Sequence, residues 1–97
     1  MADVKISVEN GPDKGRIVGR IAGLPEEAEL TWQVQADQRI TADHTFVPPA
    51  LRGRGVAAML VDALIAEARA QGWRIVPQCS YVAASFDRHP EWGDLRA

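Results

Sequence analysis

The chain predicts an α+β fold: four short strands come first, then a helix, a fifth strand and a second helix. Two patterns carry this expectation. Up to Val47, apolar residues recur at every second position in short stretches bounded by Gly, Pro, Asn and Asp. That is the signature of half-buried strands joined by tight turns. From Val56 to Arg69 they recur at helical spacing instead, in a run too long for a strand.

Each element follows from its residues. Val4, Ile6 and Val8 alternate with Lys5, Ser7 and Glu9, a first strand. Asn10-Gly11-Pro12-Asp13-Lys14-Gly15 is a turn cluster, and Arg16 to Ala22 is a second strand closed by Gly23-Leu24-Pro25. Leu30, Trp32 and Val34 alternate with Thr31, Gln33 and Gln35 in a third. Asp37-Gln38 turns the chain into Arg39–Val47, where plain alternation puts Ile40, Ala42, His44 and Phe46 on one face and Asp43 on the other unless a bulge intervenes. Short loops make these four an antiparallel meander.

The helix is expected from about Gly53 to Gln71. Val56, Leu60, Ala63 and Leu64 form its stripe, Met59, Val61 and Ile65 widen it, and Gly72 stops it. Arg74-Ile75-Val76-Pro77 is a short strand whose proline ends it or leaves one side unpaired. Ser80–Arg88 is a second helix with Val82, Ala83 and Phe86 facing inward.

Composition bounds the function. The 97 residues suffice for a single domain, 1–97, somewhat below the most common size of roughly 100–150 residues. A net charge of −2 gives no bulk attraction to nucleic acid or to an anionic membrane. One cysteine cannot form an internal disulfide. With no basic-then-apolar leader in Met1-Ala2-Asp3-Val4 and no segment long enough to span a bilayer, a cytoplasmic location is expected. Trp32, Trp73 and Trp92 are scattered and read as packing residues, not as a base-stacking platform.

The chemistry concentrates between Phe46 and Ala58. A strand end, Phe46-Val47, meets a Pro48-Pro49 corner and the turn Arg52-Gly53-Arg54-Gly55-Val56-Ala57 before the helix. The first amides of a helix lack intrahelical partners, and the dipole adds positive potential there. Glycine allows close backbone approach, and Arg52 and Arg54 add charge, so the element suits a phosphate or pyrophosphate. The same string also reads as a soluble turn before a helix. A Walker loop is excluded because neither Lys nor Ser/Thr follows Gly55. No βαβ repeat is left to support a dinucleotide fingerprint.

Arg52-x-x-Gly55-x-Ala57, preceded by Val-Pro and followed by an apolar helix, resembles the coenzyme A pyrophosphate loop of the GNAT acetyltransferases. His44-Thr45-x-Val47-Pro48, Leu51-Arg52-Gly53, Val76-Pro77-x-Cys79 and His89-Pro90-Glu91-x-x-Asp94-Leu95 extend the likeness to the small bacterial GNAT-like proteins with plant and animal relatives. It covers about the last two-thirds of the chain. In one respect the chain departs from it: members commonly carry Glu just before the Val-Pro, and here that residue is Phe46.

The resemblance implies a fifth strand parallel to the fourth and splayed from it, with acetyl-CoA bound in the slot between them. It implies that Phe46, Val47, Arg52, Gly53, Arg54, Gly55, Val56, Ala57, Cys79 and Arg88 contact the cofactor, and that no metal is needed. An acetyl group would pass to an unidentified primary amine, small-molecule or peptide, by direct attack in a ternary complex. The protein would act as a monomer or weak dimer. The alternative is a coenzyme A-binding module with little catalysis, or a structural domain whose loop binds another anion.

Three residues are catalytic candidates, each with a plainer reading. His44 is the best remaining base once Phe46 replaces Glu, because imidazole ordinarily titrates near neutrality, yet on an apolar face a His is usually a core residue. Cys79 precedes the second helix, where a thiol is favoured as thiolate. It can take up acetyl, wall the thioester, or simply be a small buried hydrophobe. Tyr81 can protonate the departing thiolate or serve in packing. Arg88 and His89 reach for phosphates or merely end a solvated helix.

Overall fold

The computed structural model describes residues 4–97, so Met1–Asp3, the start of the stretch read for a leader, lies outside it. Strands β1 (Val4–Asn10), β2 (Lys14–Ile21), β3 (Glu27–Val34) and β4 (Arg39–Phe46) form an antiparallel meander, and β5 (Arg74–Pro77) joins β4 in parallel. Helix α1 (Val56–Gln71) connects β4 to β5, and α2 (Ser80–Arg88) follows. Short 3₁₀ turns cover Pro49–Leu51 and Pro90–Leu95.

Turn chemistry sets the meander. Asp37 and Gln38 both have positive φ, 63° and 60°. This is the left-handed pair that joins twisted antiparallel strands tightly. The hairpin between β1 and β2 closes with the Gly11 amide on the Lys14 carbonyl at 3.0 Å. Gly15 has a packing role: a Cβ there would lie 2.6 Å from Trp32 Cε2 and 2.9 Å from the Glu9 carbonyl oxygen. The Trp32 indole therefore lies over Gly15, 1 % exposed, and stacks at a tilt on Trp73 with ring centres 5.7 Å apart.

The helices cover one face of the sheet. Ile17, Ile21, Ala28, Leu30, Trp32, Ile40, Ala42 and Ile75 from the strands form one buried cluster with Val56, Leu60, Val61, Leu64, Ile65 and Ala68 of α1 and Val82 and Phe86 of α2. The predicted stripe of α1 holds, except that Ala63 and Met59 are half-buried while Ala68 is fully enclosed. In α2, Ser85 joins Val82 and Phe86 inside and donates to the Tyr81 carbonyl at 3.0 Å, while Ala83 is half-buried. Helix α1 starts at Val56 and not near Gly53, because Gly53 and Gly55 are both left-handed.

The other face has no helix on it among the described residues. Arg16 bridges Glu9 at 3.0 Å and Glu29 at 3.3 Å, Arg20 pairs with Glu27, and Val18 is fully covered among them. The aliphatic stems of these charged residues do the covering. At the far edge, the tail runs beside β5: Ile75 bridges Arg96, and the Ala97 amide donates to the Ile75 carbonyl at 2.8 Å.

Candidate functional site

Two features of β4 create the site. The first is a bulge. Thr31 faces His44 but Trp32 faces Ala42, so Asp43 is an extra residue without a partner on β3. The insertion reverses the alternation beyond it. Ile40 and Ala42 are buried against the helices as expected, but His44 and Phe46 are not on their face. They stand exposed on the helix-free side, rings parallel within 9° and centres 6.4 Å apart, with Phe46 45 % exposed. Asp43 stays on that same side, accepting from Thr31 Oγ1 at 2.6 Å and Gln33 Nε2 at 3.1 Å. Thr45, quoted in the sequence only as part of a motif, takes the inner position instead.

The second feature is a parting of strands. β4 and β5 pair from Arg39/Arg74 to Ala42/Pro77, and β4 runs on to Phe46 without β5. The Cys79 amide makes a final contact, donating to the Ala42 carbonyl at 2.8 Å. Pro77, which lacks an N–H, stands where the pairing stops. A gap therefore opens beside Asp43–Phe46.

Cys79 lies at this gap. It is the residue before α2, half-buried, with Sγ 3.4 Å from Thr45 Oγ1. Burial pushes its thiol up. Hydrogen bonds from the Thr45 hydroxyl and from the amides of Val82, Tyr81 and Thr45 outweigh burial and hold it below the ordinary thiol value. Amides at a helix start favour thiolate for the same reason they favour other anions.

The loop has the form an anion needs. Gly53 and Gly55 sit at φ 78° and 74°, and a Cβ on either would meet nothing within 4 Å. Backbone conformation, not crowding, requires them to be glycine. Gly55 caps α1 without a side-chain bond, and the first bond within the helix is Met59 to the Gly55 carbonyl. The amides of Val56, Ala57 and Ala58 therefore remain free of the helix ladder.

Arg52 Nε donates to the Val47 carbonyl at 2.9 Å, tying the loop to the end of β4. Arg54 is exposed and makes no ion pair among the described residues. Leu51, fully buried, pins the corner. A hollow of about 180 Å³ opens here, lined by Val47, Leu51, Arg52, Gly53, Gly55 to Ala58, and Tyr81.

Val47, the loop and Tyr81 thus share one hollow, with Cys79 two residues before Tyr81. His44 and Phe46 lie across the sheet. Arg88 is exposed in the last turn of α2, seven residues beyond Tyr81 and roughly 10 Å along the helix, and does not line the hollow. His89 instead stacks on Trp92, ring centres 3.9 Å apart, and bonds Glu91 at 2.9 Å. That contact holds the Glu91 carboxyl below its usual range.

Among the described residues no group of His, Cys, Asp and Glu is placed to hold a metal ion. No helix is long and apolar enough to cross a membrane.

A family model for GCN5-related N-acetyl-transferases matches residues 20–95. Among solved structures, a GCN5-like protein from Staphylococcus aureus, determined by NMR in solution, is 25 % identical. The alignment covers 94 % of this chain and 87 % of that one, with a TM-score of 0.66.

Proposed function

This chain belongs to the GCN5-related N-acetyltransferase family, and from that premise we propose that it binds acetyl-CoA and passes the acetyl group to a primary amine in a ternary complex. One observation carries the reading. The free amides at the start of α1, the left-handed glycines, Val47 just beyond the end of β4, and Tyr81 line a single hollow, and β4 has already parted from β5 before it reaches Val47. The residues fit the group: uncapped N–H donors and two guanidinium side chains suit a pyrophosphate.

The chain's own roles follow from placement. Amides from Arg54 to Ala57, with Arg52 and Arg54, hold the pyrophosphate. The edge of β4 beyond Ala42 has no strand on it, so backbone groups at Phe46 and Val47 are available to orient the acyl carbonyl. When bound, acetyl-CoA supplies the thioester. Tyr81, in the same hollow, donates a proton to the departing sulfur. His44, exposed on the opposite face, takes the proton lost by the incoming amine. Cys79 and Thr45 wall the gap, and the amine attacks directly. Such catalysis rests on positioning and carbonyl polarisation, so it tolerates a modest base.

A second reading rests on Phe46, which stands where relatives commonly carry Glu: the chain holds coenzyme A but transfers poorly. Two assays decide between them. Calorimetry should show coenzyme A binding and no comparable binding of ATP; equal affinity for both would overturn the cofactor assignment. Acetyl-CoA consumption against a pool of amines and peptides should exceed the enzyme-free rate. Coenzyme A binding with no turnover would favour the second reading.

A further inference from the structure

Beside the stretch that β5 leaves unpaired, β4 presents Asp43, His44 and Phe46 on the helix-free face, where an incoming acceptor can reach them. That face carries a hollow of about 530 Å³, with Lys14, Glu9 and Arg16 on one side and Thr31, Gln33 and Asp43 on the other. Its charges are not all matched. Glu9 and Arg16 neutralise each other at 3.0 Å. Asp43 accepts only from the neutral Thr31 and Gln33 side chains. Lys14 makes no ion pair among the described residues. One unmatched anion therefore stands on β4, at the bulge next to His44, and one unmatched cation stands two strands away on β2.

We propose that this hollow is the acceptor subsite and that it takes an amine bearing its own carboxylate, with the ammonium at Asp43 beside the gap and the carboxylate at Lys14. Two strand spacings, on the order of 9–10 Å, separate β2 from β4. The Lys14 and Asp43 side chains occupy part of that span. The fitting ligand keeps its charges several bonds apart, as an ω-amino acid or dipeptide does, and a diamine is disfavoured by Lys14. Calling the ligand an acceptor rests on the transferase reading; its binding to this hollow does not.

The test is a titration of the full chain with 4-aminobutyrate, read from backbone amide NMR shifts. The amides of Thr31, Gln33 and Asp43 should move. Asp43→Asn and Lys14→Gln should each weaken binding at least fivefold while the rest of the spectrum is retained. Butylamine, butyrate and 1,4-diaminobutane should each bind more weakly than 4-aminobutyrate. No shift at these positions, binding that ignores both substitutions, or tighter binding of the diamine would overturn the proposal.

Coenzyme A titrated into the same sample reports separately through Gly53–Ala58. Failure there, with 4-aminobutyrate still bound, removes the cofactor reading and leaves the subsite standing. The converse result leaves the cofactor reading intact and removes the subsite.

Discussion

Gly55→Val separates binding from stability because α1 has a matched control at its other end. Gly55 and Gly72 flank the helix with nearly equal left-handed φ, 74° and 73°, and a Cβ at either meets nothing within 4 Å. Valine at either position therefore costs conformational strain without collision. For an L-residue in this region that is about 1–2 kcal/mol, and a β-branched side chain sits at the upper end. Against a stability of about 5–15 kcal/mol, both variants should fold. A loss of that size should lower Tm by roughly 4–16 °C in a chain this short.

The two variants should differ only at the cofactor. At Gly55 the strained residue sets the direction of the Val56 and Ala57 amides, so coenzyme A affinity should fall tenfold or more, about 1.4 kcal/mol per factor of ten. Gly72→Val should bind coenzyme A as the parent does. Calorimetry with thermal melts measures both quantities. Equal coenzyme A affinity in two folded variants would refute the assignment of the loop.

Four further outcomes are expected. The thiol of Cys79, held below its ordinary value, should react with iodoacetamide at a pH lower than a free thiol needs; Thr45→Val should move that profile upward, and saturating coenzyme A should block labelling. Unchanged labelling with coenzyme A would place Cys79 away from the cofactor. Cys79→Ala should retain transfer to amines, and intact-mass spectrometry of the parent with acetyl-CoA alone should show no stable acetyl adduct. Gly15→Ala should cost about 1–3 kcal/mol through its overlap with Trp32, while Gln38→Gly, relieving one left-handed residue, should gain roughly 0.5–1 kcal/mol, both read from denaturation midpoints.

The regular elements were legible because their periods are strong. The bounds of β5 and α2 match the residues expected of them, and the turn at Asp37-Gln38 falls where it was placed. The loop was legible from composition, since glycines that must be left-handed and flanking arginines leave a local signature. The start of α1 was misplaced because a helical apolar period says nothing about the backbone of the glycines before it.

The facing of β4 was not legible. Alternation runs cleanly from Ile40 to Phe46, and nothing in Asp43 announces that it is unpaired. That fact arises from β3, where Thr31 and Trp32 choose their partners. Thr45 was passed over for the same reason: counted from Ile40 it faces away from the helices, and only when counted back from Val47 does it face them. Ion matching on the open face lies beyond the string altogether, because it depends on which side chains four neighbouring strands bring into reach.

The unpaired Asp43 gives β4 two loyalties. Before it the strand's even-numbered residues serve the interior; after it they serve the solvent. One inserted residue thus lets a single strand wall the thiol side of the gap with Thr45 and furnish the open side with His44 and Phe46. Shortening β4 by that one residue would restore strict alternation. It would leave the imidazole and the phenyl ring outward and the threonine hydroxyl inward, because His44 would then follow Ala42 directly in register with Thr31; pairing the full strand without the bulge is what would exchange the two walls. The division of labour at this site is written in how residues are paired rather than in their kinds.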